Sequence, residues 1–238
     1  DHPVMVFDRT GKFVHSFGKG VFGGPTPGAS SFRHGMFIGP DDAVWCADTG
    51  AHCVMKFDPK GNLLMTLGTL GEPSKLWGGE PFNRPTHAAV SPNTGNIFIS
   101  DGYGNFRVHK YSAEGQRLLS WGEPGVDPGQ FMTPHNVAID SEDRVYIADR
   151  ENHRIQVFDA NGKFITMWNN IHRPAGLNIG PDGNMYVAEL NGLPGFDNAP
   201  DLGHRVSILT LEGELLARLG HSEEGEEPGR FTSPHGIA

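Results

Sequence analysis

The sequence lacks the features of a disulfide scaffold and of a nucleic-acid-binding domain. It has 2 cysteines in 238 residues, far fewer than small stapled domains carry. Cys46 lies in an apolar, strand-like run, so we expect a buried thiol, with a bridge to Cys53 across a hairpin as the alternative. The formal net charge is −9 and there is no basic stripe, so we expect no nucleic-acid partner.

Long hydrophobic runs are also missing. No segment approaches the ~18 consecutive apolar residues that suggest a membrane span, so we expect no membrane association. The sequence starts at Asp1 with neither an initiator methionine nor a signal peptide. Because a leader can be removed from a mature chain, the compartment stays open between secreted or periplasmic and cytoplasmic.

Glycine and proline, in contrast, are abundant. The 33 glycines and 18 prolines fall between apolar segments that are typical of strands. With an ordinary hydrophobic content of 37%, this pattern favours an all-β fold rich in turns over a disordered chain. The length suffices for one large core, and we predict a single domain over residues 1–238.

One unit recurs along the chain: an apolar strand, a tight turn ending in glycine, and a second strand. Glycine suits the turn because a short hairpin needs a residue that tolerates positive φ. The second residues of successive copies are 50, 54, 47 and 51 positions apart. The copies begin at Phe7, Phe57, Tyr111, Phe158 and Leu209.

Two further strands complete the unit. Before each of the last four copies lies a β-branched and aromatic run that ends in an acid, namely Asp48, Asp101, Asp149 or Glu189. A short strand comes earlier still, and four short strands in ~40–55 residues match a propeller blade. The first strand of each blade would line the axis, and the fourth would form the rim.

We predict an all-β, six-bladed β-propeller whose sixth blade is split between the termini and incomplete. The predicted blades are 31–69, 82–122, 131–168 and 172–219, with 231–238 plus 3–18 as the split blade. The split blade lacks a second strand with its aromatic run and terminal acid. We favour a fragment of a longer protein over an imperfectly closed ring, because an unpaired gap leaves exposed sheet edges.

Three histidines occupy one position of the repeat. His34 and His135 each lie 14 residues before the acid of their blade, and His235 follows a proline as His135 does. Thr86 and Ala175 hold the same position in the two blades between. The histidines therefore come from alternate blades, which sit about 120° apart in a six-fold ring, and the three imidazoles would converge on the axis.

This convergence predicts a metal site. Three histidines with an open fourth position are typical of catalytic zinc. Imidazole also suits copper, nickel and iron, so the residues indicate the site more firmly than they indicate the metal. The alternative is that the three histidines recur only because the sequence repeats, and that they line a water-filled channel without binding a metal.

The units resemble NHL repeats, and residues 148–159 are the clearest copy. From about His34 to His235, the chain also resembles peptidyl-α-hydroxyglycine α-amidating lyase. Four stretches carry this resemblance, namely 33–35, 99–107, 121–135 and 148–152. The Asp-Gly-Tyr stretch that ends at Tyr103 is the most specific, because generic NHL repeats have Asp-x-x-Asn there.

The resemblance implies a zinc site and a reaction. It assigns zinc binding to His34, His135 and His235, a catalytic role to Tyr103, and a place near the site to Arg150. The implied reaction cleaves the C–N bond of an α-hydroxyglycine, in a small-molecule or peptide substrate, to an amide and glyoxylate. The substrate hydroxyl would bind at the metal, Tyr103 would take its proton, and Arg150 would fork onto the carboxylate. Simple packing of Tyr103 and a plain repeat turn at Arg150 are the alternatives.

Several departures from that family bear on the site. The aspartate of the family's calcium site, directly after the third histidine, is Gly236 here, which leaves calcium with backbone carbonyls such as that of Met36. The family cysteine after the catalytic tyrosine is Gly104, so that disulfide is missing, and a further arginine would fall just before Asp1. An insertion over 191–203 is predicted to form a loop over one face, where it could reshape the substrate pocket.

Two other functions compete with a metal-dependent lyase. An NHL propeller can serve as a non-catalytic module that docks a protein or an RNA, although the acidic charge argues against RNA. A propeller hydrolase or lactonase would prefer carboxylate and asparagine ligands on calcium, and the inner strands carry no matching acidic set. The histidine triad and Tyr103 favour the lyase.

Overall fold

Short antiparallel strands make up the regular structure of this protein. The computed structural model describes residues 3–23, 32–192, 202–221 and 223–238. Within these residues the strands are β1 (Val4–Phe7), β2 (Phe13–Phe17), β3 (Arg33–Ile38), β4 (Val44–Asp48), β5 (Cys53–Phe57), β6 (Leu63–Leu67), β7 (His87–Val90), β8 (Ile97–Asp101), β9 (Arg107–Tyr111), β10 (Arg117–Trp121), β11 (Pro134–Ile139), β12 (Val145–Asp149), β13 (Arg154–Phe158), β14 (Phe164–Trp168), β15 (Pro174–Ile179), β16 (Met185–Glu189), β17 (Arg205–Leu209) and β18 (Leu215–Gly220). A short 3-10 turn covers Arg150–Asn152.

The strands form four complete propeller blades. Each blade is a four-stranded antiparallel sheet whose neighbouring strands follow one another in sequence: β3–β6, β7–β10, β11–β14 and β15–β18. Strands β1 and β2 pair with each other as a separate, two-stranded sheet. The prediction of an all-β propeller is therefore confirmed, with four complete blades seen.

The six-blade count stays a prediction, because the terminal segments do not form a blade. Within the described residues β1 pairs only with β2, and residues 231–238 contain no strand. The predicted split blade, 231–238 plus 3–18, is thus not seen as one hydrogen-bonded sheet. Most of the predicted loop over 191–203 lies outside the described residues.

The hairpin turn of the repeat has the same structure in all five copies. In each copy the glycine amide donates a hydrogen bond of 2.9–3.0 Å to the carbonyl oxygen three residues earlier. The glycines have φ between 76° and 89°, a region that residues with a Cβ rarely adopt. These glycines are Gly11, Gly61, Gly115, Gly162 and Gly213.

The acid at the end of each second strand holds the start of its own blade. Asp48, Asp101, Asp149 and Glu189 are all fully buried. Each carboxylate accepts a hydrogen bond of 2.6–3.0 Å from a backbone amide in the loop that leads into the first strand of the same blade. In the blades β7–β10, β11–β14 and β15–β18 this amide lies two to four residues before the first strand, so the bond helps to position the residues that the strand presents to the axis.

Apolar side chains fill the space between neighbouring blades. Phe17 of β2 packs on Phe57 of β5 with ring centroids 5.3 Å apart, which places the β1–β2 sheet beside the blade β3–β6. Cys46 and Cys53 lie buried in the same cluster and are both free thiols, so the expectation for Cys46 is confirmed. No helix in the described part of the chain is long and apolar enough to cross a membrane.

Candidate metal centre

The three predicted histidines meet at the axis. Their ring centroids are 4.6 Å apart for His34 and His135, 4.7 Å for His135 and His235, and 5.0 Å for His34 and His235. One ligand atom from each lies within 4.8 Å of the other two. Among the described residues, no other group of three histidines, cysteines or acids comes together in this way. The nearly equal sides of the triangle are what three equally spaced positions around an axis produce, two of them on the strands β3 and β11.

Backbone carbonyls of the neighbouring blades orient two of these imidazoles. The Nδ1 of His34 donates to the carbonyl oxygen of Thr86 at 2.8 Å, and the Nδ1 of His135 donates to that of Ala175 at 2.7 Å. With the proton on Nδ1, each ring turns its Nε2 lone pair toward the axis. Thr86 and Ala175 hold the repeat position of the histidines in the blades between. The same position of the repeat therefore carries a histidine in one blade and the carbonyl that orients it in the next blade.

His235 is held less firmly than the other two. It is exposed, whereas His34 is half-buried and His135 is buried. Within the described residues no hydrogen bond reaches either of its ring nitrogens. Its backbone lies against Gly176 of the last complete blade, where a Cβ added to that glycine would come 2.8 Å from the His235 carbonyl oxygen.

Tyr103 reaches the histidines from the loop after β8. Its Oη lies 3.1 Å from the Nε2 of His34 and 2.9 Å from the Nε2 of His135. Gly102 allows this approach, since a Cβ there would lie 2.0 Å from the carbonyl oxygen of Pro134 on the neighbouring blade. The structure therefore brings Tyr103 into direct contact with two members of the triad.

The cluster around Tyr103 contains more acceptors than protons. Both Nε2 atoms are acceptors when Nδ1 carries the proton, and the phenol has a single proton to share between them. Arg150 Nη1 donates to the same phenol oxygen at 3.2 Å. At least one Nε2 lone pair therefore faces the oxygen with no proton between them, an arrangement that a bound cation would satisfy. Imidazole nitrogens are the donors that zinc prefers.

Burial keeps the triad in the neutral form that a metal needs. Burial lowers the pKa of His34 to about 4, lowers the pKa of His135 well below its usual range, and also lowers the pKa of His235. The positive charge of Arg150 acts in the same direction on all three. At neutral pH the three imidazoles are therefore uncharged and able to act as ligands.

Arg150 lies beside Tyr103, but its charge is already shared. Its Cζ is 5.3 Å from the centre of the Tyr103 ring, and its Nε donates to Glu151 Oε1 at 2.7 Å. Arg173 also forks onto Glu151, with both nitrogen–oxygen distances at 3.1 Å. The structure thus brings Arg150 to the site, where its Nε pairs with Glu151 and its Nη1 with Tyr103; its binding of a substrate carboxylate stays a prediction.

Sequence reasoning missed Arg84. This residue is exposed, and its Cζ lies 5.4 Å from the centre of the Tyr103 ring, almost as near as that of Arg150. The available signal was its place in the repeat, two residues before Thr86 and at the position that Arg173 holds before Ala175. Two arginines therefore lie against one tyrosine at the mouth of the triad.

The groups around the cavity next to the triad do not fit calcium. This cavity measures about 320 Å³, and none of the residues that line it has a carboxylate side chain. The Met36 carbonyl oxygen, expected as a calcium ligand, instead pairs with His87 Nε2 at 3.3 Å. Calcium takes six to eight oxygen ligands, usually including carboxylates, and Gly236 leaves that role empty.

Comparison with known proteins relates the chain to NHL-repeat proteins and to amidating enzymes. The NHL repeat family model matches residues 131–158. NHL repeat-containing protein 3 of Homo sapiens is 36% identical in an alignment 202 positions long that covers 79% of this chain and 55% of that protein. Peptidyl-alpha-hydroxyglycine alpha-amidating lyase 1 of Drosophila melanogaster is 36% identical in an alignment 171 positions long that covers 68% of this chain and 30% of that protein.

A longer alignment gives the same relationship. Peptidyl-glycine alpha-amidating monooxygenase B of Xenopus laevis is 32% identical in an alignment 249 positions long, gaps included, that covers 99% of this chain and 26% of that protein. The chain spans less than two thirds of the length of each of these relatives. Among solved structures, a streptogramin B lyase is similar in fold, with a TM-score of 0.63 and 19% identity over 94% of this chain and 62% of that one. This chain is an NHL-repeat β-propeller that resembles the peptidyl-α-hydroxyglycine α-amidating lyases.

Proposed function

We propose that this chain is a metal-dependent carbon–nitrogen lyase that cleaves an α-hydroxyglycine-type substrate to an amide and glyoxylate. One observation carries the proposal: Tyr103 Oη lies within 3.1 Å of the Nε2 atoms of two converging histidines, with an arginine donating to the same oxygen. If the histidines recurred only because the sequence repeats, there would be no reason for a tyrosine and an arginine to meet at their Nε2 atoms. The similarity to relatives named for this lyase supports the reaction type.

The donor set favours zinc as the metal, held by His34, His135 and His235. Three neutral imidazoles that leave one coordination position open are the usual ligands of catalytic zinc. When bound, zinc supplies Lewis acidity that makes a nearby hydroxyl easier to deprotonate. The carbonyls of Thr86 and Ala175 support this role because they orient two of the ligands before any metal binds.

Tyr103 is the residue that we assign to proton transfer. Its oxygen lies at the triad, where the hydroxyl of an α-hydroxyglycine would be placed, and it takes the hydroxyl proton as general base. The O–H electron pair then forms the carbonyl of glyoxylate while the C–N bond breaks. The leaving amide nitrogen receives a proton, so all atoms of the substrate appear in the amide and in glyoxylate. Arg150 keeps the phenol oxygen in place through its hydrogen bond.

The same geometry supports a six-bladed ring. His34 and His135 are separated by one blade, β7–β10, and His135 and His235 by another, β15–β18. A triangle with nearly equal sides places one blade between His235 and His34 as well, and the β1–β2 sheet lies beside β3–β6 on that side. In this arrangement β1–β2 and residues 231–238 belong to two neighbouring partial blades rather than to one split blade.

Metal content tests the first half of the proposal. The purified chain, dialysed against zinc and then against metal-free buffer, should retain about one zinc per chain, as a single three-histidine site requires. His221→Ala, which removes an exposed histidine in the loop after β18, is the matched control and should retain the same amount. A natively folded chain that retains no zinc would contradict the proposal.

Product formation tests the second half. N-acetyl-α-hydroxyglycine incubated with the zinc-loaded chain should yield acetamide and glyoxylate in equal amounts, above the rate of the uncatalysed reaction. Glyoxylate can be measured with a reductase-coupled assay and acetamide by NMR. A zinc-loaded, folded chain that releases neither product would exclude this reaction while leaving the metal site intact.

A non-catalytic interaction module is the second candidate. The similarity to NHL repeat-containing protein 3 favours it, because that name carries no reaction. In that case the folded chain should release no glyoxylate above the uncatalysed rate, whether or not it retains zinc. The measurement of product therefore separates the two candidates.

A further inference from the structure

Two arginines of this propeller hold equivalent positions but have different surroundings. Arg173 lies two residues before Ala175, and Arg84 lies two residues before Thr86, which is the same repeat position. Both have positive φ, at 39° and 63°. The two side chains therefore leave the backbone at the same repeat position and from a similar backbone conformation.

The difference lies in the carboxylate that each arginine meets on the preceding blade. Arg173 forks onto Glu151, which lies two residues after the acid Asp149. The residue two after Asp48, which faces Arg84 by the same relation, is Gly50. Arg84 is thus the counterpart of a paired arginine whose carboxylate partner has been replaced by a residue without a side chain.

The guanidinium of Arg84 has no ion pair within the described residues. Its backbone amide donates to His52 Nδ1 at 3.1 Å, and its Cζ lies over Tyr103, but no carboxylate or carbonyl accepts a hydrogen bond from its side chain there. Arg173, in contrast, is buried and fully paired. An unpaired guanidinium beside the proposed general base is well suited to bind an anionic group of the substrate.

A cavity occupies the space that the missing side chain leaves. It measures about 400 Å³ and is lined by Phe32, Thr49, Gly50, His52 and Arg84. Phe32 reaches the triad, since its ring centroid is 5.8 Å from that of His34. The cavity therefore lies beside the proposed reaction centre and ends at Arg84.

We propose that Arg84 binds the substrate carboxylate, which takes the place beside Arg84 that the Glu151 carboxylate takes beside Arg173. The inference deepens the proposed lyase function and rests on it. It moves the carboxylate-binding role from Arg150, whose Nε already pairs with Glu151, to Arg84. Arg84 then selects substrates with a free carboxylate next to the hydroxyl-bearing carbon, and it acts on binding rather than on proton transfer.

Binding of a non-cleavable probe gives the first test. N-acetylglycine carries the carboxylate without the hydroxyl, and its methyl ester is the neutral counterpart. In calorimetric titrations of the zinc-loaded chain, Arg84→Gln should weaken N-acetylglycine binding about 10- to 100-fold, the range for one charge-assisted pair. It should leave the weaker binding of the ester unchanged. Arg9→Gln, in the exposed β1–β2 turn, is the matched control and should change neither.

A second variant tests the comparison with Arg173 directly. Gly50→Glu restores the carboxylate that the repeat lacks, so the protein itself should pair with Arg84 and weaken N-acetylglycine binding by a similar factor. Gly50→Gln has nearly the same size without the charge and should weaken it much less. Equal effects of the two substitutions would mean that only space matters, which would overturn the proposal.

Turnover completes the test and separates the two proposals. If glyoxylate is released, Arg84→Gln should raise KM for N-acetyl-α-hydroxyglycine about 10-fold or more while kcat stays within about twofold, the signature of lost uniform binding. An unchanged KM, or equal binding of the acid and the ester by the unaltered chain, would overturn the role of Arg84. Arg84-dependent binding of N-acetylglycine without glyoxylate release would instead overturn the lyase and keep the carboxylate site.

Discussion

The histidines that come from complete blades are held differently from the one near residues 231–238. His34 and His135 each use one ring nitrogen on a carbonyl of the neighbouring blade and the other on Tyr103. His235 is exposed and has no such bond within the described residues. The difference shows that a ligand in a propeller is oriented by the next blade as much as by its own strand.

The glycine after a triad histidine shows the same contrast. A Cβ on Gly35, next to His34, would lie 2.4 Å from the carbonyl oxygen of Thr86, the same oxygen that orients His34. A Cβ on Gly236, next to His235, would meet no atom within 4 Å. One side of the triad is therefore tightly packed and the other is open.

The largest expected effect is the loss of bound zinc when a ligand is removed, and it should differ between the tightly packed side of the triad and the open side. His135→Ala should lower zinc from about one per chain to a small fraction, because it removes a buried ligand that is oriented in advance. His235→Ala should weaken zinc binding less, since the oriented pair His34 and His135 remains. Zinc titrations followed by mass spectrometry of the dialysed protein measure both. Equal losses in the two variants would show that the bound metal orders His235 as firmly as its partners.

Removing the group that joins the two oriented histidines should have the next largest effect. Tyr103→Phe deletes the phenol oxygen and should lower kcat for glyoxylate release about 100-fold or more, the usual contribution of a general base. Zinc content should be unchanged, because the three histidines remain. A variant with normal kcat would remove Tyr103 from the chemistry and leave it as a packing residue.

A pair of glycine substitutions compares the packing of the two sides. Gly35→Ala should lower the free energy of unfolding by about 1–3 kcal/mol, because the new methyl group displaces the Thr86 carbonyl. Gly236→Ala should change it by about 0.5 kcal/mol or less, as expected where no atom is near. Urea denaturation measures both. A large effect at Gly236 would show that residues 231–238 pack more closely in solution than this contrast implies.

Two buried thiols of the complete blade β3–β6, Cys46 and Cys53, are expected to affect stability least at neutral pH, where they are not ionised. Burial raises the pKa of the Cys46 and Cys53 thiols to about 12 from an ordinary value of 9.0. At pH 9 the folded thiols should therefore react with iodoacetamide about 500-fold more slowly than in urea, from the thiolate fraction alone. Because their folded pKa is the higher one, the stability they contribute is full below pH 9 and declines as the pH rises toward 12. Rapid alkylation of the native protein at pH 9 would mean that this blade opens readily.

The histidine triad could be predicted because a repeated β-structure keeps its register. The offset of 14 residues from the buried acid placed His34 and His135 at one level, and it holds because the residue before each histidine, Arg33 or Pro134, pairs with that acid across the first two strands. Arg84 was not found in this way, although it shares a repeat position with Arg173. The sequence does not show that Arg173 pairs with Glu151 of another blade. It therefore does not show that Gly50, at the position of Glu151, leaves Arg84 without a carboxylate.

The sequence by itself determined the repeating all-β fold, the buried acids and the three axial histidines. It could do so because the period of the repeat fixes the place of each residue within its own blade. Only the tertiary structure decided how charges pair between blades, with Arg150 and Arg173 sharing Glu151 while Arg84 is left for another anion. That pairing depends on the rotation between neighbouring blades, which brings together side chains that no regular spacing along the chain connects.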